Sequence, residues 1–135
     1  MVAIGIQATL SASDPVVRLV HRAPVMVHLD TTLRACASVM ADESIGAVLV
    51  QASHGPAGVL SERDIVAAAA EGADLDYYRA RDFMTPDVDT VDGGTTIRYA
   101  AEEMLGNEIR HLAVTDGRRT VGLISIRDLL AVQTG

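Results

Sequence analysis

The chain has 135 residues, of which 49% are hydrophobic types, and its formal net charge is −7. This length and composition suit one compact domain that buries roughly two-thirds of its unfolded surface, and they exclude a disordered chain. The apolar stretches are strand-length, short of the ~18 residues that a membrane span needs, so no membrane segment is predicted. The acidic charge opposes polyanions and no basic stripe offsets it, so no nucleic-acid binding is predicted.

Cysteine and histidine usage predicts neither a disulfide nor a metal site. The single cysteine, Cys36, cannot form an internal disulfide, and the first residues lack the basic start of a secretory signal. We therefore expect a reduced, cytoplasmic setting. Cys36 lies on a helical stripe with Leu33 and Met40, which indicates a buried small hydrophobe rather than a nucleophile. His28 and His54 have no partners at metal-ligand spacing.

The sequence repeats itself, without a gap, at an offset of 64 residues. The strongest match aligns Gly58-Val-Leu-Ser61-Glu-Arg63-Asp64 with Gly122-Leu-Ile-Ser125-Ile-Arg127-Asp128. Further matches pair Val27 with Val91, Thr32 with Thr96, and Met40 with Met104. We interpret the chain as a tandem duplication, because such matches span the whole unit. The predicted organisation is an N-terminal extension over residues 1–15, a first repeat over 16–72, a connector over 73–79 and a second repeat over 80–131.

Each copy predicts the same order of elements. A short β-prone piece, residues 25–27 or 90–91, precedes a capping cluster that ends at Thr32 or Thr96. A helix with apolar residues at i, i+3, i+4 and i+7 follows. Two apolar runs separated by turn residues then predict a pair of adjacent strands, and a second helix starts at Ser61 or Ser125.

These elements give a β-α-β-β-α unit in each copy, which belongs to the α/β (α+β) class. One such unit has two helices on one face of a three-stranded sheet and cannot bury both faces alone. We therefore expect the two repeats to pack through their sheets with pseudo-two-fold symmetry.

The most informative residues are Ser61, Arg63 and Asp64, with their equivalents Ser125, Arg127 and Asp128 in the second copy. One interpretation is structural, because Ser-x-x-Asp before an apolar helical run resembles a capping box. The other is functional: a helix start favours a phosphate, Arg adds a cation and Asp can accept two hydrogen bonds from a ribose diol. Gly58 and Gly122, three residues upstream of each Ser, would let a ligand approach the strand closely.

At these residues the chain resembles the tandem cystathionine-β-synthase (CBS) domain family, whose paired repeats form a Bateman module. The resemblance also includes Phe83-Met84-Thr85-Pro86 before the second copy and the run at residues 45–50. It implies that an adenosine-containing ligand, AMP, ADP, ATP or S-adenosylmethionine, lies in the cleft between the repeats. It further implies that Asp64 and Asp128 hold the ribose and that Ser61 and Ser125 meet phosphate.

The same resemblance assigns the remaining wall of the ligand site. Apolar strand residues would pack on the adenine, and we expect Val25, Val27 and Val91 among them. The second copy has Thr85 where the first has His21, and Arg110-His111 where the first has Gly46-Ala47. The two sites should therefore be unequal. Arg110 and His111 either assist phosphate binding or are ordinary surface residues, and the sequence leaves both readings open.

The sequence predicts a stand-alone regulatory module that performs no catalysis. It contains no nucleophile elbow, Walker-type loop or paired metal ligands, so no cofactor is required and the adenosyl ligand is regulatory. The apolar second helices favour a homodimer, and we expect an effector protein of unknown identity to read the bound state. The alternative is a ligand-free dimerisation scaffold with vestigial clefts.

Overall fold

A computed structural model describes residues 10–132, which contain seven strands and five α-helices. In chain order these elements are β1 (Met26–His28), α1 (Leu33–Glu43), β2 (Ala47–Ala52), β3 (Gly55–Ser61), α2 (Glu62–Ala70), α3 (Ala80–Phe83), β4 (Thr85–Pro86), β5 (Thr90–Asp92), α4 (Ile97–Gly106), β6 (His111–Asp116), β7 (Arg119–Ser125) and α5 (Ile126–Leu130). A 3-10 turn at Val16–Leu19 precedes them. No helix within residues 10–132 is long and apolar enough to cross a membrane.

The described residues form two compact units. The first-repeat unit is Pro24–Val88. The second-repeat unit combines residues 89–132 with residues 10–23, which precede the first repeat in the chain. Each unit has its own hydrophobic core, so burial of apolar side chains stabilises each unit.

The first-repeat unit is built on a four-stranded sheet in the order β1-β2-β3-β4. β1 is parallel to β2, and the other two pairings are antiparallel. The buried residues of helix α1 recur at helical spacing, so they lie on one face of the helix, and this apolar face packs in the core. The buried core comprises Val27, Leu33, Cys36, Met40, Val48, Val50, Leu60, Ile65, Ala68 and Ala80.

The second-repeat unit has a three-stranded sheet in the order β5-β6-β7, with β5 parallel to β6 and β6 antiparallel to β7. Its β-bulge falls between Val114 and Thr115, at the position equivalent to the bulge between Val50 and Gln51 in the first-repeat unit. The buried core comprises Val16, Ile97, Ala100, Met104, Leu112, Val114, Ile124 and Leu129.

The predicted β-α-β-β-α order is confirmed in both repeats. The helix starts are also confirmed, since Thr32 Oγ1 accepts the Ala35 amide at 3.1 Å and Thr96 Oγ1 accepts the Tyr99 amide at 3.1 Å. Gly72 follows α2 with φ of +83°, a left-handed conformation that ends a helix and favours glycine.

The segment that leads into each repeat packs in the other compact unit. Val16, ahead of the first repeat, is fully buried in the second-repeat core, and its amide donates to Thr95 O at 2.7 Å. Ala80, ahead of the second repeat, is fully buried in the first-repeat core, and its amide donates to Thr31 O at 2.8 Å. The residues at offset 64 thus make equivalent bonds. We call residues 16–22 and 80–86 the leading segments.

Candidate functional site

The Ser61-x-x-Asp64 sequence forms a complete capping box at the start of α2. Asp64 Oδ2 accepts the Ser61 amide at 2.8 Å, and the Asp64 amide donates to Ser61 Oγ at 3.2 Å. The Ser61 hydroxyl also lies 3.0 Å from Asp64 Oδ2 and donates to it. Both side chains are half-buried, so these bonds fix the orientation of the carboxylate.

The equivalent pair in the second repeat is held in nearly the same way. Asp128 Oδ2 accepts the Ser125 amide at 2.8 Å, and the Asp128 amide donates to Ser125 Oγ at 3.1 Å. Asp128 is exposed, unlike Asp64. The structural interpretation of the motif, a helix cap, is therefore confirmed in both copies.

The cap does not use the whole carboxylate. In both repeats the bonds to the cap fall on Oδ2, and no donor among residues 10–132 bonds to Oδ1 of Asp64 or Asp128. Each acid thus presents one fixed oxygen whose partner can come from outside the chain. Because Oδ2 is anchored, the carboxylate is already ordered, and a ligand that binds Oδ1 causes little further loss of side-chain entropy.

The two glycines of the repeat signature meet the protein's own chain, which corrects the expectation that a ligand approaches there. A Cβ added at Gly58 would lie 2.5 Å from Thr85 O and 2.8 Å from Met84 Sδ. A Cβ added at Gly122 would lie 2.5 Å from Val20 Cγ1. The leading segments cover both positions, so the missing side chains make room for the Thr85 backbone at Gly58 and for the Val20 side chain at Gly122 rather than for a ligand.

The predicted apolar residues differ in how much surface they keep. Val27 is only 8% exposed and belongs to the first-repeat core, whereas Val25 and Val91 are half-buried. Thr85 is exposed in β4, where it pairs with Val59 of the first-repeat signature strand. The structure therefore brings Thr85 to the repeat that precedes it in the chain. The binding cleft between the repeats stays a prediction.

The predicted basic residues lie at the surface around the two caps. Arg63 and Arg127 are exposed in the first turns of α2 and α5, one residue before the capping acid. Arg110 is exposed and His111 half-buried at the start of β6. The Arg110 carbonyl accepts the Ile126 amide at 2.8 Å, so Arg110 is adjacent to the first residue of α5.

An open groove on the second-repeat unit lies between β5 and α4, and none of the capping residues lines it. Sequence reasoning did not identify it, although it contains the predicted residue Val91. The groove is lined by Asp89, Thr90, Val91, Asp92, Tyr99, Glu103, Asn107, Ile109 and Leu112. Three of its polar side chains, all on or just after α4, bond to each other: Glu103 accepts the Tyr99 hydroxyl at 3.1 Å and the Asn107 side-chain amide at 3.0 Å.

Metal and thiol chemistry find no support in the described part of the chain. Within residues 10–132, no three His, Cys, Asp or Glu side chains are grouped so that they could hold a metal ion. Cys36 is fully buried, and burial raises the pKa of its thiol to about 11. A thiol with so high a pKa is a poor nucleophile at neutral pH because almost none of it is thiolate.

Comparison with known proteins gives one family and closely similar folds. The sequence model of the CBS domain matches residues 13–71 and 80–135. A curated relative, an uncharacterized 17.7 kDa protein of Acidianus ambivalens, is 33% identical over 106 residues, which is 77% of this chain. The aligned part spans 63% of the length of that relative.

Among solved structures, the chain is similar to a CBS domain protein from Pyrobaculum aerophilum complexed with AMP. The two are 32% identical with a TM-score of 0.78, and the match covers 88% of this chain and 92% of that one. A second similar structure is the CBS domain pair of protein MJ0100 in complex with 5'-methylthioadenosine and S-adenosyl-L-methionine. It is 22% identical with a TM-score of 0.74 over 86% of this chain and 96% of that one, and this similarity concerns the fold.

Proposed function

This chain belongs to the CBS-domain family, with two CBS domains in tandem, and we propose that it is a regulatory module that binds an adenosine-containing ligand. The ligand is AMP, ADP, ATP or S-adenosylmethionine. The bound state is read by a partner, and the module itself catalyses no reaction.

The anchored acid of each repeat is the observation that carries this proposal. Asp64 and Asp128 each present Oδ1 beside a capped helix start, while Oδ2 stays bonded to the chain. A ribose diol supplies two adjacent hydroxyl donors, and a carboxylate is their natural acceptor. Hydrogen bonds to a charged acceptor contribute about 1.5–3 kcal/mol, which is enough to contribute ~10-fold or more in affinity.

The similar proteins support the ligand class. A structure 32% identical to this chain holds AMP, and a more distant one holds 5'-methylthioadenosine and S-adenosylmethionine. These molecules share adenine and a ribose with free 2′ and 3′ hydroxyls, which is the part that a ribose acceptor and an apolar wall would recognise. Val25 and Val91 keep partly exposed side chains for that wall.

A thermal-shift screen tests the proposal. AMP, ATP and S-adenosylmethionine are each added to the full chain, and we expect at least one to raise the melting temperature. At 100 times its Kd a ligand stabilises the folded state by about 2.7 kcal/mol. The response should fall in Asp64→Asn and Asp128→Asn, which keep an acceptor oxygen for the cap and lose the charge.

The matched control is Asp42→Asn, because Asp42 is an exposed acid on α1 outside the signature. Its ligand response should equal that of the native chain. If no adenosyl ligand shifts the melting temperature while the protein still self-associates, the dimerisation scaffold is the better account. Release of product from ATP or S-adenosylmethionine in the same samples would contradict a purely regulatory role.

Self-association of the module is proposed on the second helices of the repeats. Val66 in α2 and Leu130 in α5 occupy equivalent positions and are 66% and 63% exposed. Large aliphatic side chains at symmetric exposed sites favour burial against a second copy of the chain. Val66→Glu and Leu130→Glu should shift the protein toward monomer in analytical ultracentrifugation, and an unchanged mass would exclude these helices from the interface.

A further inference from the structure

The two capped helix starts make equivalent backbone hydrogen bonds, but the side chains around them differ in charge. The Glu62 amide donates to Gly46 O at 2.9 Å, and the Ile126 amide donates to Arg110 O at 2.8 Å. These bonds hold the residue before β2 or β6 next to the first residue of the following helix. We call residues 46 and 61–64 the first corner, and residues 110 and 125–128 the second corner.

The first corner is acidic because a glycine makes room for a carboxylate. A Cβ added at Gly46 would lie 3.3 Å from Glu62 Oε1, so the Glu62 carboxylate lies against the glycine backbone. With Asp64 it gives the corner two carboxylates, and Arg63 is its one cation. A phosphate placed there would meet Glu62 as a like charge.

The second corner reverses this balance. Position 110, equivalent to Gly46, is an exposed arginine, and position 126, equivalent to Glu62, is isoleucine. Arg110 and Arg127 give the corner two cations, against the single carboxylate of Asp128. Arginine is suited to phosphate because its planar fork can bond two oxygens at once.

The serine hydroxyls and the leading segments also differ between the two units, and both differences favour a phosphate at the second corner. The Ser61 hydroxyl donates to Asp64 Oδ2, whereas the Ser125 hydroxyl donates to no acceptor within residues 10–132. The leading segment of the second-repeat unit continues from Val20 into His21-Arg22, both exposed. The corresponding segment in the first-repeat unit continues into the uncharged Thr85-Pro86.

We propose that the two corners sort adenosyl ligands by charge. The second corner binds the phosphate-bearing ligand, AMP, ADP or ATP, and the first corner binds an adenosyl ligand that lacks phosphate and carries a cationic group, such as the sulfonium of S-adenosylmethionine. This inference rests on the proposed function. Glu62 and Arg110 are the residues that distinguish the two corners, since the Ser, Arg and Asp of the signature are shared.

Calorimetric titration of the full chain with ATP and with S-adenosylmethionine tests the sorting. In an Asp64→Asn background, Arg110→Gln should weaken ATP binding about tenfold, because a charge-assisted bond to phosphate is lost. Arg118→Gln is the matched control, an exposed arginine in the turn between β6 and β7, and it should leave ATP affinity within about twofold.

The reciprocal arm uses an Asp128→Asn background. There Glu62→Gln should weaken S-adenosylmethionine and strengthen ATP binding, with Asp42→Asn as the control for net charge. ATP binding that is insensitive to Arg110→Gln, or equally sensitive to Arg118→Gln, would overturn the sorting and leave the proposed function intact. Failure of the native chain to bind either probe would instead overturn the proposed function, and the sorting with it.

Discussion

The first-repeat and second-repeat units follow one backbone plan and differ in the side chains placed on it. Their caps, bulges and leading-segment bonds recur at an offset of 64 residues. Their first and second corners, by contrast, differ in charge. Within residues 10–132, only the first-repeat sheet gains a fourth strand from its leading segment. Duplication has thus preserved the helix caps and the Ser, Arg and Asp of the signature, while positions 46 and 62 of the first repeat differ from positions 110 and 126 of the second.

The largest expected effect concerns which unit each leading segment stabilises. Val16→Asp buries an unpaired charge in the second-repeat core, which should cost at least about 3 kcal/mol. In native-state hydrogen exchange, amide protection should be lost in α4 and β6 of the second-repeat unit. Ala80→Asp should remove protection from α1 and β2 of the first-repeat unit.

The control for this test is Val17→Asp, because Val17 is 39% exposed and its charge can reach water. Loss of protection in the first-repeat unit on Val16→Asp, with the second-repeat unit intact, would contradict the exchanged packing of the leading segments.

The two signature glycines should respond differently to a rescue. Gly58→Ala and Gly122→Ala should each cost about 1–3 kcal/mol of unfolding free energy in urea, because the new Cβ overlaps the leading segment. Val20→Ala should recover part of the loss at Gly122, since the overlap there is with its side chain. Met84→Ala should not rescue Gly58→Ala, because the Thr85 carbonyl stays 2.5 Å away. Equal rescue at both sites would be inconsistent with this difference.

The caps should differ by a smaller amount. Ser61→Ala and Ser125→Ala should each cost about 1 kcal/mol, equivalent to roughly 4 °C in melting temperature. The loss should be greater at Ser61, because its hydroxyl also donates to Asp64. Ser61→Thr keeps the hydroxyl and is the control. Equal losses would indicate that the additional bond contributes nothing.

The smallest effect concerns Cys36, whose equivalent in the second repeat is Ala100, also fully buried. Because burial raises the pKa of the Cys36 thiol to about 11 from 9.0, the native thiol should resist a thiol reagent at pH 8. Burial of the neutral thiol also makes the stability of the protein depend on pH. Its contribution to the free energy of unfolding is fully present below the unfolded pKa of 9.0 and declines as the pH rises toward about 11, because the unfolded thiol ionises first. Rapid labelling of the native protein would contradict the burial of this thiol. Labelling that occurs only on unfolding would report the opening of the first repeat alone.

The features that the sequence predicted are those governed by local chemistry. Thr32 and Thr96 cap helices because each side-chain oxygen needs only to accept the amide three residues later in the chain. The Ser-x-x-Asp pattern forms its capping box through the same local spacing. The covering of Gly58 and Gly122 was not predicted, because it depends on a segment distant in the chain. The charge difference at positions 62 and 126 is visible in the alignment of the copies. The sequence does not show that these positions lie beside positions 46 and 110, because that proximity depends on backbone hydrogen bonds between distant residues.

The central claim is that the anchored acids of the two repeats bind adenosine. The most direct test is a calorimetric titration of AMP into the native chain and into the double variant Asp64→Asn/Asp128→Asn, with circular dichroism to verify that both are folded. We predict measurable heat of binding for the native chain and a loss of affinity of at least about tenfold for the folded double variant. An AMP affinity that is the same in both proteins would contradict the claim.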